Sequence, residues 1–373
     1  MKKQLRAFYI MHSIDWFAHT LLGILLPVYF ISLGYPIFQV ITYFIVFCFG
    51  IAFFFFVAGF FATRFGVKEC LFLRLPLRFF QLAMLYFLPQ AGFLFFPLAV
   101  IHAIQISFYW FPYHVIFTQS ASEDRMGRDV GKLSAYTQAL SVAAPLTGAF
   151  IAFKFGYNYL FLLSGAVHLI AAIPLFYLKN WQSKIRFQPK IIWRLFKKHK
   201  KFFFATMNYY LVVEAEGVIL PIFVYLTFKN IISVGTIGAM AGGGAVLFTL
   251  LIGNFSDKYN KKKLLKLGAA LMIIIWVLRY FAVDEKVYYL LSILAGFFMI
   301  LMAVPINAIN YSIAKGENVD EFVVTREIMI NAGRIIIYSL ALVMSAKINY
   351  SFLVAAGVLI YFIIIKQSYG KKN

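Results

Sequence analysis

The chain has 373 residues, of which 62% are hydrophobic and only 13% are charged. Soluble domains carry about 25% charged residues, so this composition excludes an ordinary soluble protein. The net charge of +21 would suit a nucleic-acid-binding protein. However, the basic residues lie between long apolar segments, so we expect no nucleic acid as a partner. The expected surroundings are membrane lipids.

Twelve apolar segments are long enough to cross a bilayer, which takes about 20 helical residues. We therefore predict an all-α membrane protein with twelve transmembrane helices. The predicted spans, numbered 1 to 12, cover residues 7–32, 37–62, 69–88, 92–117, 133–153, 158–178, 202–228, 231–255, 264–283, 287–312, 326–346 and 350–366.

The basic residues alternate between the two sides of these spans. Most of the 35 Lys and Arg residues lie at the termini and in the even-numbered connections. The odd-numbered connections hold only Lys154, Lys229, Lys286 and Lys347. Because basic connections stay in the cytoplasm, we predict a multi-pass protein of the cell membrane with both termini cytoplasmic.

The sequence also repeats itself once. The segment 23–27 (GILLP) in span 1 matches 217–221 (GVILP) in span 7 at an offset of 194, and Gly59 matches Gly253 at the same offset. Six spans return the chain to its starting side, so the halves are predicted to be parallel repeats with a substrate site between them. The predicted division is a first bundle at 1–178, a basic linker at 179–201 and a second bundle at 202–373. The linker is either an amphipathic helix on the membrane surface or a solvated connection.

Three motifs resemble those of the major facilitator superfamily of transporters. The loops after spans 2 and 8 (59–68 and 253–262) resemble its G-x-x-x-D-R-x-G-R-R loop, and 123–132 resembles its R-x-G loop before span 5. Thr63 stands where the family has Asp, and Ala144 precedes Pro145 where drug antiporters have glycine. The resemblance implies a twelve-helix fold with a central cavity. It also implies a cytoplasmic gate formed by Arg64, Lys68, Arg125, Asp257 and Lys258.

Ionisable residues inside the spans are the first candidates for the site, because a bilayer makes them costly. His12, Asp15 and His19 form one stripe of span 1. The repeat maps that stripe onto the face of span 7 that carries Glu216. We therefore expect His19 and Glu216 to face each other across the cavity and to carry protons. Glu214 lies off that face.

The remaining candidates lie on several helices. Arg334 in span 11 is predicted to pair with Glu214 or Glu216, or to bind an anionic substrate. Arg78 is predicted to snorkel to the inner interface, and Arg279 to anchor the outer one. The other candidate cavity residues, each of which could instead tie helices together, are His102, Gln105, Trp110, Gln138 and Asn307.

These patterns predict a secondary transporter that moves a small solute by alternating access, coupled to protons. The partners expected are a small-molecule substrate and protons, and the protein is expected to be a monomer. No cofactor and no metal site are indicated. Two alternatives stay open: a membrane enzyme acting on a lipid, or a transporter-like sensor. Arg334 favours an anionic solute, whereas the aromatic residues favour an amphipathic one.

Overall fold

A computed structural model describes residues 2–121, 126–180, 182–183, 189–252 and 260–364. Every regular element within these ranges is helical. Ten segments are long and apolar enough to cross a membrane, and Tyr350–Ile364 is a shorter apolar helix. Together with Val319–Val343 they account for the twelve predicted spans, so the predicted fold class is confirmed.

The first half contains spans 1 to 6. Its helices are, for span 1, Lys2–Gly23 and Leu26–Ser32; for span 2, Ile37–Arg64; for span 3, Val67–Phe87; for span 4, Phe95–Ser120; for span 5, Met126–Ser141 and Ala144–Phe155; and for span 6, Tyr157–Ala172. Spans 1 and 5 are each interrupted just before a proline, Pro27 or Pro145. Proline lacks a backbone N–H and fits only the first turn of a helix, so each span resumes there.

The second half contains spans 7 to 12. Its helices are, for span 7, Pro189–Glu214 and Leu220–Phe228; for span 8, Ile231–Ile252; for span 9, Lys261–Phe281; for span 10, Glu285–Lys315; for span 11, Val319–Val343; and for span 12, Tyr350–Ile364. Span 7 also resumes at a proline, Pro221, but its break is a π-helical turn at Ala215–Ile219. The linker from Pro189 onwards is helical, and this helix runs into span 7 through non-helical backbone angles at His199.

The halves touch each other at both ends. We call the side on which Lys2, Arg64 and Lys315 lie the basic side, and the other the opposite side. Towards the opposite side span 8 packs on span 5, where a Cβ added at Gly235 would meet Ala149 and lie 2.8 Å from the carbonyl oxygen of Pro145. Only glycine allows backbones this close.

Contacts on the basic side join spans 4, 10 and 11. The Tyr311 hydroxyl lies 2.8 Å from His114 Nδ1, and Arg326 Nη2 lies 2.6 Å from His114 Nε2. The Lys315 ammonium donates to the carbonyl oxygen of Ala121 at 2.5 Å. We call His114, Tyr311 and Arg326 the basic-side clamp. Arg326, the first residue of predicted span 11, is 2% exposed.

Candidate functional site

A connected set of buried polar side chains lies inside the first half, and we call it the Asp15 network. It joins spans 1, 3, 4 and 6 and consists of Asp15, Arg74, Arg78, Gln81, Gln105, Ser164 and His168. Asp15 and Arg74 form an ion pair. Arg74 Nε also donates to Gln105 Oε1 at 3.3 Å. Asp15 is 3% exposed and Gln105 is fully buried, so the pair is held away from solvent.

His168 in span 6 lies on the other side of Asp15. Its Nδ1 lies 2.6 Å from the carbonyl oxygen of Ser164. A carbonyl oxygen can only accept, so Nδ1 carries a proton and donates. Its Nε2 lies 3.8 Å from Asp15 Oδ1. An extra proton between these groups would therefore sit either on His168 Nε2 or on the Asp15 carboxylate.

Arg78 lies one turn beyond Arg74 on span 3. Arg78 Nη1 donates to Gln81 Oε1 at 2.7 Å, and Nη2 donates to Ser164 Oγ at 3.4 Å. The prediction that it snorkels to the interface is wrong, since it is 2% exposed. Span 3 has polar partners on its inner face near mid-length, so the guanidinium turns towards them.

Aromatic rings cover the network on the side of span 4. The Arg74 guanidinium lies 4.2 Å from the ring centroid of Tyr109, an arrangement that favours a cation. The Tyr109 hydroxyl lies 2.5 Å from His12 Nδ1. Trp110 packs edge-on against Trp16, with ring centroids 5.9 Å apart. Both tryptophans are half-buried, so part of each ring stays exposed at the surface of this wall.

The other predicted residues of the first half lie beside this wall. His19 is half-buried, and its ring centroid lies 5.3 Å from that of Trp16. His102 contacts span 2, with its Nδ1 3.1 Å from the Tyr43 hydroxyl and its ring stacked on Phe47. His102 is thus held within its own half. Gln138 is half-buried on span 5.

In the second half, Glu214 and Arg334 form the predicted pair. Arg334 Nε lies 2.7 Å from Glu214 Oε1, and the Tyr338 hydroxyl donates to Glu214 Oε2 at 2.6 Å. Glu327 Oε1 lies 3.6 Å from Arg334 Nη1. Arg334 thus has two acidic neighbours. Because these acids already neutralise its charge, Arg334 gives no reason to expect an anionic substrate.

Glu216 has a different environment from the one predicted. Arg279 Nη1 of span 9 lies 2.5 Å from Glu216 Oε1. Arg279 is fully buried, so its prediction as an interface anchor is wrong. The projection of Glu216 assumed a regular α-helix, but Glu216 lies in the π-helical turn, which changes the direction of the side chains. Asn307 of span 10 is half-buried.

Comparison with known proteins identifies the family of this twelve-helix arrangement. The sequence profile described as Major Facilitator Superfamily matches residues 8–213 and 202–367. The chain belongs to the major facilitator superfamily. It is therefore a multi-pass membrane transporter and not a lipid-acting enzyme. Among curated proteins, the uncharacterised protein YqgE of Bacillus subtilis is 22% identical over 251 residues, which is 61% of this chain and 56% of YqgE.

Solved structures of this superfamily have the same fold. The fucose:proton symporter of Escherichia coli gives a TM-score of 0.71 at 15% identity, covering 96% of this chain and 97% of that one. The human organic anion transporter MFSD10 gives 0.69 at 13% identity, covering 97% and 98%. A bacterial homologue of the iron transporter ferroportin, in its outward-facing state, gives 0.69 at 12% identity over the same shares. At these identities the likeness concerns the fold alone.

The superfamily resemblance also suggested gate residues, of which Arg64 and Lys68 lie among the described residues. Lys68 Nζ donates to the carbonyl oxygen of Phe176 at 3.4 Å, within the first half. Arg64 is exposed, with its guanidinium 5.4 Å from the ring centroid of Phe65. In this conformation the basic-side clamp joins the halves. Arg125, Asp257 and Lys258 lie outside the described residues.

The buried charges of this superfamily member are distributed unequally. In the second half three arginines, Arg279, Arg326 and Arg334, contact three glutamates, Glu216, Glu327 and Glu214. The six predicted spans of the first half contain two acidic residues in the sequence. Glu69 is the first residue of span 3, and Asp15 lies in the interior of span 1. The Asp15 network nevertheless contains two arginines, so it carries an excess of one positive charge when its histidine is neutral.

Proposed function

We propose that this protein is a proton-coupled secondary transporter that works by alternating access between its two halves. The observation that supports this most is the position of Asp15, which lies buried in span 1 between Arg74 and His168. A carboxylate buried there is costly unless it is paired or protonated. Asp15 can use either solution, because Arg74 pairs with it and His168 Nε2, 3.8 Å away, is close enough to exchange a proton with it after a small movement.

The coupling follows from competition for Asp15. When Asp15 is ionised it holds Arg74. When Asp15 accepts a proton the pair weakens, and the guanidinium of Arg74 is released towards the aromatic wall. A proton thereby changes which groups the site offers to a solute. A transporter needs such a difference between its loaded and unloaded states, because a ligand shifts an equilibrium only through differential affinity.

We further propose that both termini are cytoplasmic, that the membrane is the cell membrane and that the protein acts as a monomer made of two bundles. The concentration of Lys and Arg on one side supports the orientation. His19, His102, Trp110, Gln138 and Asn307 are proposed to line the solute path. The names of similar structures suggest two solute classes to test first, which are sugars such as fucose and organic anions.

Substitution of Asp15 tests the coupling. Proteoliposomes loaded with a pH-sensitive dye are supplied with fucose and with a panel of organic acids, and internal acidification is recorded for each. The Asp15→Asn variant should lose acidification and gradient-driven accumulation but still exchange internal solute for external solute. Glu69→Gln, at the half-buried start of span 3, is the matched control and should accumulate solute normally.

Normal accumulation by Asp15→Asn would disprove the coupling role of this carboxylate. A transporter-like sensor would bind a solute yet show no flux in the wild-type protein. Solute flux without acidification would leave a transporter with another driving ion. The three outcomes separate the proposed function from its alternatives.

A further inference from the structure

The Asp15 network contains hydrogen-bond donors that have no acceptor among the described residues. They are Arg78 Nε, Gln81 Nε2 and Gln105 Nε2. The orientation of both amides is fixed, because each carbonyl oxygen accepts from an arginine. Most buried donors in proteins are hydrogen-bonded, and leaving one unpaired destabilises the folded state.

The same place carries the excess positive charge. Gln81 and Gln105 are fully buried and Arg78 is 2% exposed, so solvent does not neutralise the charge. Among the described residues, the groups at hydrogen-bond distance from Arg78 are neutral, namely Gln81 and Ser164. A group that satisfies three donors and one positive charge must offer several lone pairs and a negative charge. Oxyanions have both properties.

We propose that the transported solute carries a singly charged oxyanion, in the simplest case a carboxylate, and that Arg78, Gln81 and Gln105 bind it when the network opens towards the aromatic wall. This substrate class rests on the proposed function and deepens it. The half-buried rings of Trp16 and Trp110 suit the apolar body of such a solute. While Asp15 is ionised, the charge excess of one favours a monoanion over a dianion.

A structural role for Arg78 makes the opposite prediction about stability. If Arg78 only holds spans 3 and 6 together, removing it should destabilise the protein. If it is an uncompensated charge kept for a ligand, neutralising it should leave the unliganded protein as stable or more stable. Two substitutions neutralise the network in different ways. Arg78→Gln removes the charge, and Gln81→Glu adds a carboxylate 2.7 Å from it with little change in shape.

The experiment measures binding to purified full-length protein in detergent at fixed pH, without a gradient. Ligands are the matched pair benzoate and benzamide, with sulfate as the dianion, and binding is followed by thermal shift and tryptophan fluorescence. Benzoate should bind saturably, at least tenfold more tightly than benzamide or sulfate. Arg78→Gln and Gln81→Glu should each weaken benzoate at least tenfold without lowering the unliganded melting temperature. Controls are Arg194→Gln and Gln90→Glu, which change the same charges at exposed positions.

Equal binding of benzoate and benzamide, or no binding of either, would overturn the proposal, and so would wild-type affinity in both neutralising variants. A lower melting temperature in both would assign Arg78 a structural role and also overturn it. If Arg78→Gln alone fails to fold, Gln81→Glu decides. Anion binding is measured here without transport, so benzoate binding without flux in proteoliposomes would contradict only the proposed function. Accumulation of an uncharged solute without benzoate binding would contradict only this inference.

Discussion

At the scale of single residues, the stability of this transporter's interior depends on which group neutralises each buried charge. Arg334 is compensated by Glu214 and Glu327, with further contact from Tyr210, whose ring centroid lies 5.6 Å from the guanidinium. Such a pair gives little stability relative to apolar residues, but breaking it is costly because one charge is left alone. The two halves differ in this respect, since Arg279, Arg326 and Arg334 each contact a glutamate, whereas Arg78 in the first half contacts neutral groups.

Arg334→Gln should therefore destabilise the protein by about 3–5 kcal/mol, the usual cost of removing one partner of a buried pair. The double variant Glu214→Gln with Arg334→Gln should recover part of this loss, because only Glu327 then lacks a partner. Thermal unfolding in detergent measures both. If the double variant is as unstable as the sum of the two single variants, Glu214 and Arg334 do not compensate each other.

The sequence located several of these residues but not their partners. Asp15 and Glu214 stand out as rare acids within apolar segments, and the pairing of Glu214 with Arg334 followed from the shortage of other charges. Arg74 does not stand out in the sequence, because it lies near the basic end of span 3, where positive charges mark topology. His168 could not be predicted as a partner of Asp15, because a single histidine in an apolar span is often a core residue that is hydrogen-bonded within the fold. Only the packing of span 6 on span 1 brings it to Asp15.

At the scale of helices, the breaks in the spans decide where side chains point. The repeat correctly relates Pro27 to Pro221, but the two breaks differ, since span 7 contains a π-helical turn at Ala215–Ile219. A projection at 100° per residue cannot anticipate one extra residue in a turn. For this reason Glu216 was predicted to face His19, whereas in the structure it binds Arg279 of the neighbouring span 9.

The linker helix is tied to the loop after span 10 by a surface contact. Glu317 Oε1 lies 2.5 Å from Lys198 Nζ and 2.8 Å from His199 Nε2. Burial raises the pKa of Glu317, but hydrogen bonds from Lys198 and His199 outweigh this and lower the pKa below its ordinary value. A lowered carboxyl pKa stabilises the folded contact above the ordinary value of 4.5, and the stabilisation is lost as pH falls through the folded pKa.

Glu317→Gln should consequently loosen the linker helix at neutral pH without unfolding the bundles, because an exposed pair contributes only about 0–1 kcal/mol. Hydrogen exchange of residues 190–199 should become faster at pH 7, and the difference between variant and wild type should vanish at acidic pH. Lys197→Gln, which removes a neighbouring charge that lies over the Trp193 ring, is the control. Equal exchange in wild type and Glu317→Gln at pH 7 would show that the contact does not hold the helix.

At the scale of the whole molecule, the twelve-helix arrangement could be predicted from apolar segments and alternating charge, but the contacts between the halves could not. They depend on residues far apart in the chain, such as His114 with Tyr311 and Arg326 on the basic side, and Gly235 with Pro145 towards the opposite side. No local pattern marks these residues. If access alternates, the contacts on one side must open while those on the other side stay closed. Weakening the contacts on one side should therefore expose that end of the protein more and the other end less.

Cysteine labelling can measure this opposition. Cys48 and Cys70 are buried and can be replaced by alanine to give a background without cysteines. Reporters are Thr118→Cys near the clamp and Phe44→Cys, whose ring packs 5.6 Å from Tyr338 across the halves. His114→Ala removes the centre of the clamp and should label Thr118→Cys several-fold faster and Phe44→Cys more slowly. Gly235→Leu forces a side chain against Pro145 and should do the reverse.

The control is Gly357→Leu in span 12, where an added Cβ meets no atom of another described element within 4 Å. It should leave both labelling rates unchanged. If His114→Ala or Gly235→Leu speeds labelling at both reporters, the halves simply separate and the contacts serve stability. Opposite changes in the two labelling rates would show that the interface between the halves closes at one end when it opens at the other. This is the behaviour of two rigid halves that rock about a central site, because they cannot open both ends at once.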